Sequence, residues 1–198
     1  MSPRLPRKFY ARPTLTVAQE LLNKRLVRLL ESERLVGRIV EVEAYIGTQD
    51  QASHAHCGLT RRNAAMFGPP GHAYVYLIYG IHHCLNLVTA PEGYPAAVLI
   101  RALEPVAGLT TQGRLRGSKR SRKELTNGPG KLCQALAIDR RLDHDDLCAP
   151  QSLLWIEDAD VLPPSELVAT PRINVTGDEQ TRSVPWRFFI RDNAWVSK

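Results

Sequence analysis

The run Ile39-Val40-Glu41-Val42-Glu43-Ala44-Tyr45-Ile46-Gly47 constrains the fold more than any other segment. Its β-branched residues predict a strand, and that strand ends by presenting carboxylates beside an aromatic ring. About thirty residues on, Tyr74-Val75-Tyr76-Leu77-Ile78-Tyr79-Gly80 predicts a second strand closing on a turn. Alternation along the first strand puts Val40, Val42 and Ala44 on one face and Ile39, Glu41, Glu43 and Tyr45 on the other. An acid face of this kind is either solvated or lines a cleft. A carboxylate fixed among tyrosines suggests chemistry on a flat ring.

A chain of 198 residues, 43% of them apolar, is the size of one ordinary domain and can bury a core without disulfides or metal. We expect a single domain over residues 1–198, with a flexible basic N-terminus over 1–8 and a basic surface loop over 112–126. The net charge of +6 favours a polyanionic partner, because Lys and Arg displace counterions from phosphate, although solubility alone also accounts for it. No apolar run is long enough to cross a bilayer, and the basic start lacks the apolar segment of a secretory signal. A soluble intracellular protein is expected. Cys57, Cys84, Cys133 and Cys148 lack a C-x-x-C spacing, so reduced thiols are expected rather than a disulfide framework or zinc ribbon.

Spread prolines punctuate the chain into short elements. Thr16 with Gln19 resembles a capping box for a helix over Val17–Asn23. Strands are predicted over Leu26–Leu30, Leu35–Ala44, His72–Tyr79, Ile81–Thr89 and Ala96–Leu103, then over Leu153–Ile156, Ile173–Val175 and Trp186–Ile190. Residues Gly47–Gly71 form a long, polar, irregular connection, a kind that is usually functional or disordered. Thr126-Asn127-Gly128-Pro129-Gly130-Lys131 opens a helix over Leu132–Ile138; it is either a phosphate-binding helix start or an ordinary one. Together these elements predict a mixed α/β (α+β) domain with a largely antiparallel sheet.

Glu43 is either a surface glutamate or, buried beside Tyr45, a general base. Glu41 shares its face and competes for the role. Tyr74, Tyr76 and Tyr79 are either packing residues or a platform for stacking a nucleic-acid base. At a hairpin tip, Tyr79 has a further use: it is shaped to fill the gap left by an extruded nucleotide. Arg101, alone in an apolar run, needs a buried partner, either a structural one such as Glu104 or a catalytic carboxylate. His54-x-His56-Cys57 and His82-His83-Cys84 have zinc-ligand residue types, but neither H-E-x-x-H nor the deaminase signature is present.

Several motifs stand in one order: Glu43-Ala44-Tyr45, His54, Arg62-Asn63, Met66-Phe67, Tyr74-Val75-Tyr76, Ile78-Tyr79-Gly80, Cys84-x-Asn86, Arg101-Ala102-Leu103-Glu104-Pro105, Asn127-Gly128-Pro129-Gly130-Lys131 and Thr170-Pro171-Arg172. In this order the chain resembles the alkyladenine (3-methyladenine) DNA glycosylase family from about Phe9 to Val196. The resemblance implies a curved antiparallel sheet flanked by helices, and a monofunctional enzyme that releases damaged purines from duplex DNA. It implies Glu43 as the general base, with Arg101 helping to hold the water and the carboxylate. Tyr45, His54 and Tyr76 would wall the pocket of the flipped base. Asn86 would obstruct normal guanine, and Tyr79 would be the intercalating wedge. Arg62, Asn63, Gly130 and Lys131 are candidate DNA-backbone contacts.

No cofactor, metal or membrane is implied; the partner is double-stranded DNA, and a monomer is expected in the cytoplasm (at the nucleoid of a bacterium, or in the nucleus of a eukaryote). Two departures stand out. The segment between His54 and Asn63 is one residue shorter than in mammalian relatives, and His82 and His83 replace aromatics expected after the wedge turn.

Overall fold

A computed structural model describes residues 2–117 and 121–197. Its frame is an eight-stranded sheet in which every pairing is antiparallel. In chain order the strands are β1 (Arg25–Leu30), β2 (Glu33–Ile46), β3 (Ala73–Ile78), β4 (His82–Val88), β5 (Ala96–Ala107), β6 (Leu154–Glu157), β7 (Leu167–Thr170) and β8 (Arg187–Ile190). The spatial order is β3-β4-β5-β2-β1-β6, with β8 pairing with both β2 and β7. The long strand β2 is therefore central. It pairs with β5 along nearly all its length, with β1 over its first half, and with β8 at Glu41–Glu43.

The pleat sorts the chain into two layers. Ala73, Val75, Leu85, Leu87, Val98, Ile100, Val40, Val42 and Ala44 face the main core. That core is covered by α2 (Thr14–Leu21) and α4 (Pro129–Ala135), and α1 (Arg7–Tyr10) adds Tyr10 to it. The opposite face carries a smaller cluster that includes Tyr74, Val88, Ala97 and Met66, with Tyr76 packed against it. The Gly47–Gly71 connection contributes to this cluster through two short 3-10 turns, His54–Cys57 and Ala64–Phe67.

A break in the β2–β5 register decides what faces where. Ile39 pairs with Leu103, Glu41 with Ala102 and Val42 with Ile100, leaving Val40 and Arg101 as extra residues. Such bulges re-aim side chains. Here the bulge moves Ile39 into the main core with Val40, so Ile39 does not share the glutamate face expected from simple alternation.

Four further expectations are corrected. The first long helix starts at Thr14, directly after Pro13, rather than at Val17. Residues 173–175 are not a strand: Asn174 has φ +54°, and the Ile173 N–H is taken by a side chain, so no ladder forms there. The middle of the three strands in the C-terminal third is instead Leu167–Thr170. The segment expected as a basic loop holds α3 (Leu109–Arg116) and a 3-10 turn at Arg122–Glu124, while Ser118, Lys119 and Arg120 lie outside the described residues. The N-terminus is tied down rather than free: Leu5 is buried and donates its N–H to Ile156, and Arg7 pairs with Asp146 at 2.6 Å.

Gly37 lies where β2 presses on β5; a Cβ there would stand 2.8 Å from both Cβ and Cδ1 of Leu103. Gly37→Ala should therefore lower unfolding stability by roughly 1–3 kcal/mol. Gly113→Ala, in α3 with nothing within 4 Å of the new atom, should be neutral or stabilising; urea titration of both variants checks the contrast.

Candidate active site

Glu43 lies in the C-terminal part of β2 with no solvent exposure. A carboxylate so removed from water needs donors in its place. Its Oε2 accepts from the Tyr45 hydroxyl at 2.9 Å and from Arg101 Nη1 at 3.1 Å. Its Oε1 accepts from the Ile173 backbone N–H at 2.7 Å. A carboxylate offers about four lone-pair directions, so these three bonds leave one of them, on Oε1. Glu41 is just as buried but holds four donors: Arg101 Nε, Arg187 Nε and the Ser197 hydroxyl reach Oε1 at 3.0, 2.7 and 2.8 Å, and the Ser197 N–H reaches Oε2 at 2.6 Å. The extra position of Arg101 in β5 turns its guanidinium toward both carboxylates. Burial disfavours its charge, but Glu43 and Glu41 overturn that and raise its pKa.

Tyr45, Arg101 and Ile173, the three donors to Glu43, line a cavity of about 500 Å³, a size typical of small-molecule sites; Glu43 itself lies behind that lining. Tyr45, His54, Tyr76, Asn86 and Arg101 all line it. Cross-strand register explains the convergence. Tyr74 pairs with Asn86, Asn86 with Leu99, Leu99 with Glu43 and Glu43 with Arg187, so one row of residues runs across five strands. Tyr76 and Cys84 form the next pair toward the hairpin tip.

The wall is aromatic. The His54 ring meets Tyr76 edge-on at 4.5 Å, and His54 Nδ1 bonds the Tyr74 hydroxyl at 2.7 Å. Burial, reinforced by the Arg62 charge, lowers the His54 pKa and keeps the imidazole neutral. Burial raises the pKa of Tyr45, and Glu43 adds to the shift; burial does the same for Tyr74 and Tyr76, so the rings are neutral phenols. The Asn86 amide is fixed by a bond from Nδ2 to the Tyr74 carbonyl at 3.1 Å.

At the rim, Tyr79 is 84% exposed at the tip of the β3–β4 hairpin. Tyr79 and Gly80 both have left-handed backbones, φ +53° and +71°, and the Ile81 N–H closes the turn on Ile78. Consecutive left-handed residues make the tight turn that matches strand twist. Gly130 lines the same rim, where a Cβ would come within 3.0 Å of His82 Cβ. Arg62 is exposed, with its guanidinium 5.6 Å from the centre of the Tyr76 ring, and Lys131 is exposed and bonded to Asn127.

Asn63 departs from its expected place on a DNA-facing surface. It is buried, its Oδ1 accepts the Thr60 N–H, and its Nδ2 donates to the His54 and Gly58 carbonyls. It shapes the loop that carries His54. Among the described residues no three His, Cys, Asp or Glu side chains converge as a metal site.

Two supports escaped sequence reasoning. Arg172 and Asp50 form a bidentate ion pair at 2.6 and 2.8 Å with both side chains buried, 122 positions apart in sequence. The Arg172 guanidinium also lies 4.8 Å from the Tyr45 ring centre and 5.1 Å from that of Trp186. The pair holds the segment whose next residue, Ile173, donates to Glu43. Thr170-Pro171-Arg172 was visible as a motif, but nothing local pointed to Asp50 as its partner. Asp50→Asn should lower stability by about 3–5 kcal/mol in chemical denaturation, because it leaves a buried arginine without its counter-charge.

Comparison with known proteins agrees with this geometry. The family model described as methylpurine-DNA glycosylase matches residues 8–194. A protein of Methanocella arvoryzae named "Putative 3-methyladenine DNA glycosylase" is 53% identical over 198 residues, covering 99% of this chain and 96% of its own. Proteins of the same name from Alkaliphilus oremlandii and Carboxydothermus hydrogenoformans are 49% and 48% identical, each covering 98% of this chain and 99% and 98% of their own. By sequence over nearly its whole length, the chain belongs to the methylpurine-DNA glycosylase family.

Proposed function

We propose that this protein is a monofunctional DNA glycosylase. In this reading it turns an alkylated or deaminated purine, 3-methyladenine foremost, out of duplex DNA and hydrolyses the N-glycosidic bond. The observation that carries the reading is Glu43: a buried carboxylate whose three donors, Tyr45, Arg101 and Ile173, all line an aromatic cavity, directly behind which it lies.

A purine in a duplex is out of reach until its nucleotide is extruded, at an expense of a few kcal/mol. Tyr79, large, flat and exposed beside the cavity, offsets part of this by filling the stack. The extruded base enters between Tyr45, His54 and Tyr76. A purine methylated at N3 carries positive charge, which neutral tyrosine rings accept over their faces. A neutral His54 adds no repulsion. Asn86, fixed on the cavity wall, crowds the exocyclic amine of guanine.

The chemistry balances without a cofactor. The bond from the sugar C1′ to the base breaks, and the base departs with the bonding pair, which neutralises its charge. A water held against Glu43 Oε1 adds to C1′ and gives its proton to the carboxylate. The carboxylate also stabilises the sugar cation on the way. No lysine stands beside Glu43 in the strand, so no covalent intermediate forms and the product is an abasic site in an intact backbone. A neutral base such as hypoxanthine leaves less readily and needs a proton donor. In this reading the protein acts as a monomer on double-stranded DNA containing damaged purines, in the cytoplasm (at the nucleoid of a bacterium, or in the nucleus of a eukaryote).

Glu43→Gln should abolish base release from a methylated duplex, with a loss of about 10²-fold or more in single-turnover rate. The assay uses duplexes carrying 3-methyladenine, 7-methylguanine, hypoxanthine or ethenoadenine, and scores strand cleavage before and after alkali. Normal release by Glu43→Gln would overturn the assignment, and cleavage without alkali would overturn the monofunctional reading. Tyr79→Ala should weaken affinity for lesion duplex by roughly 1–3 kcal/mol in a binding titration; wild-type affinity and excision would exclude the wedge role.

A further inference from the structure

Glu41 is a fully buried carboxylate that the reaction does not use; two of its donors, Arg187 and Ser197, lie away from the cavity lining, whereas all three donors of Glu43 are part of it. Buried ion pairs are weak sources of stability compared with apolar packing. Its surroundings point to another purpose. Glu41 draws donors from three separate parts of the chain: Arg101 in β5, Arg187 in β8, and Ser197. Arg101 is divided among three acceptors: Nε on Glu41 at 3.0 Å, Nη1 on Glu43 at 3.1 Å and Nη2 on the Ser197 hydroxyl at 3.4 Å.

A guanidinium is a rigid planar fork. Once two of its nitrogens are fixed, the direction of the third is fixed as well. An arginine facing a single carboxylate prefers to bind it through two parallel bonds. On Glu43 that arrangement would use up the lone pair left on Oε1 and raise the number of donors from three to four.

We propose that Glu41 and Ser197 are positioning residues for glycosidic hydrolysis: they hold Arg101 to one bond with Glu43 and so keep Oε1 open for water. This rests on the function proposed above. Arg187 anchors Glu41 from the strand opposite Arg101, so the carboxylate cannot follow Arg101 if it turns. Ser197 closes the arrangement from a segment far away in sequence, donating through both its backbone and its hydroxyl.

The test compares wild type, E41Q, S197A and S197T in single-turnover base release from a 3-methyladenine duplex, alongside lesion-duplex affinity and thermal unfolding. E41Q should lower the rate about tenfold with unchanged lesion affinity, a loss confined to the chemical step. S197A should lower the rate several-fold, and S197T, which restores the hydroxyl, should recover it. A wild-type rate in E41Q, or equal rates in S197A and S197T, overturns the proposal while leaving the Glu43 assignment standing. If E41Q unfolds, the serine pair decides.

A second readout does not depend on activity. The Arg101 Nε–H resonance in ¹⁵N-labelled protein should be slow to exchange in wild type and S197T, and shifted or lost in S197A and E41Q. Absence of base release by wild type would refute the proposed function alone, and an unchanged Arg101 signal in both variants would then refute the positioning role.

Discussion

A carboxylate taken wholly out of water persists only if protein donors replace the solvent it loses. Glu41 and Glu43 are both removed completely, two positions apart on one strand face, where their charges repel. Arg101 joins them by giving each a donor from a single guanidinium. The rest of the site answers to this arrangement. The β2–β5 bulge exists at the register where Arg101 must turn inward. Strand β8 pairs with β2 at these two glutamates and brings Arg187 to Glu41.

A second buried pair has the same logic at the edge of the cavity. Asp50 and Arg172 bind two irregular segments to each other, one leading toward His54 and the other carrying Ile173. Irregular backbone is ordinarily the mobile part of a protein. Here it delivers an N–H to Glu43 with the fixity of a strand, because its anchor is an ion pair sealed from solvent. Counting both clusters, three arginines (Arg101, Arg172, Arg187) face three carboxylates (Glu41, Glu43, Asp50), so the polar layer under the cavity is charge-balanced.

Most strands could be read from local pattern, since short runs of apolar and aromatic residues over Leu26–Leu30, His72–Tyr79 and Ala96–Leu103 reflect strands buried in the sheet. The failures have specific causes. Ile173–Val175 has the β-branched composition of a strand, but its N–H is spent on Glu43 and Asn174 turns left-handed. Ile39 was assigned to the wrong face because a bulge interrupts the period of two. Asn63 looked like a polar surface residue, whereas three bonds within its own loop bury it.

The sequence by itself determined the residue types of the site and their order: an acid beside a tyrosine, a tyrosine at a hairpin tip, and an arginine stranded in an apolar run. Those signals are local, because periodicity and turn chemistry act over a few neighbours. Local spacing left Glu41 and Glu43 equivalent, and only the family resemblance favoured one over the other. The tertiary structure separates them physically. Glu43 holds three donors, all of them on the cavity, and Glu41 four; the count depends on Ile173, Arg187 and Ser197, more than a hundred residues away, and no pattern along the strand records how many of them arrive.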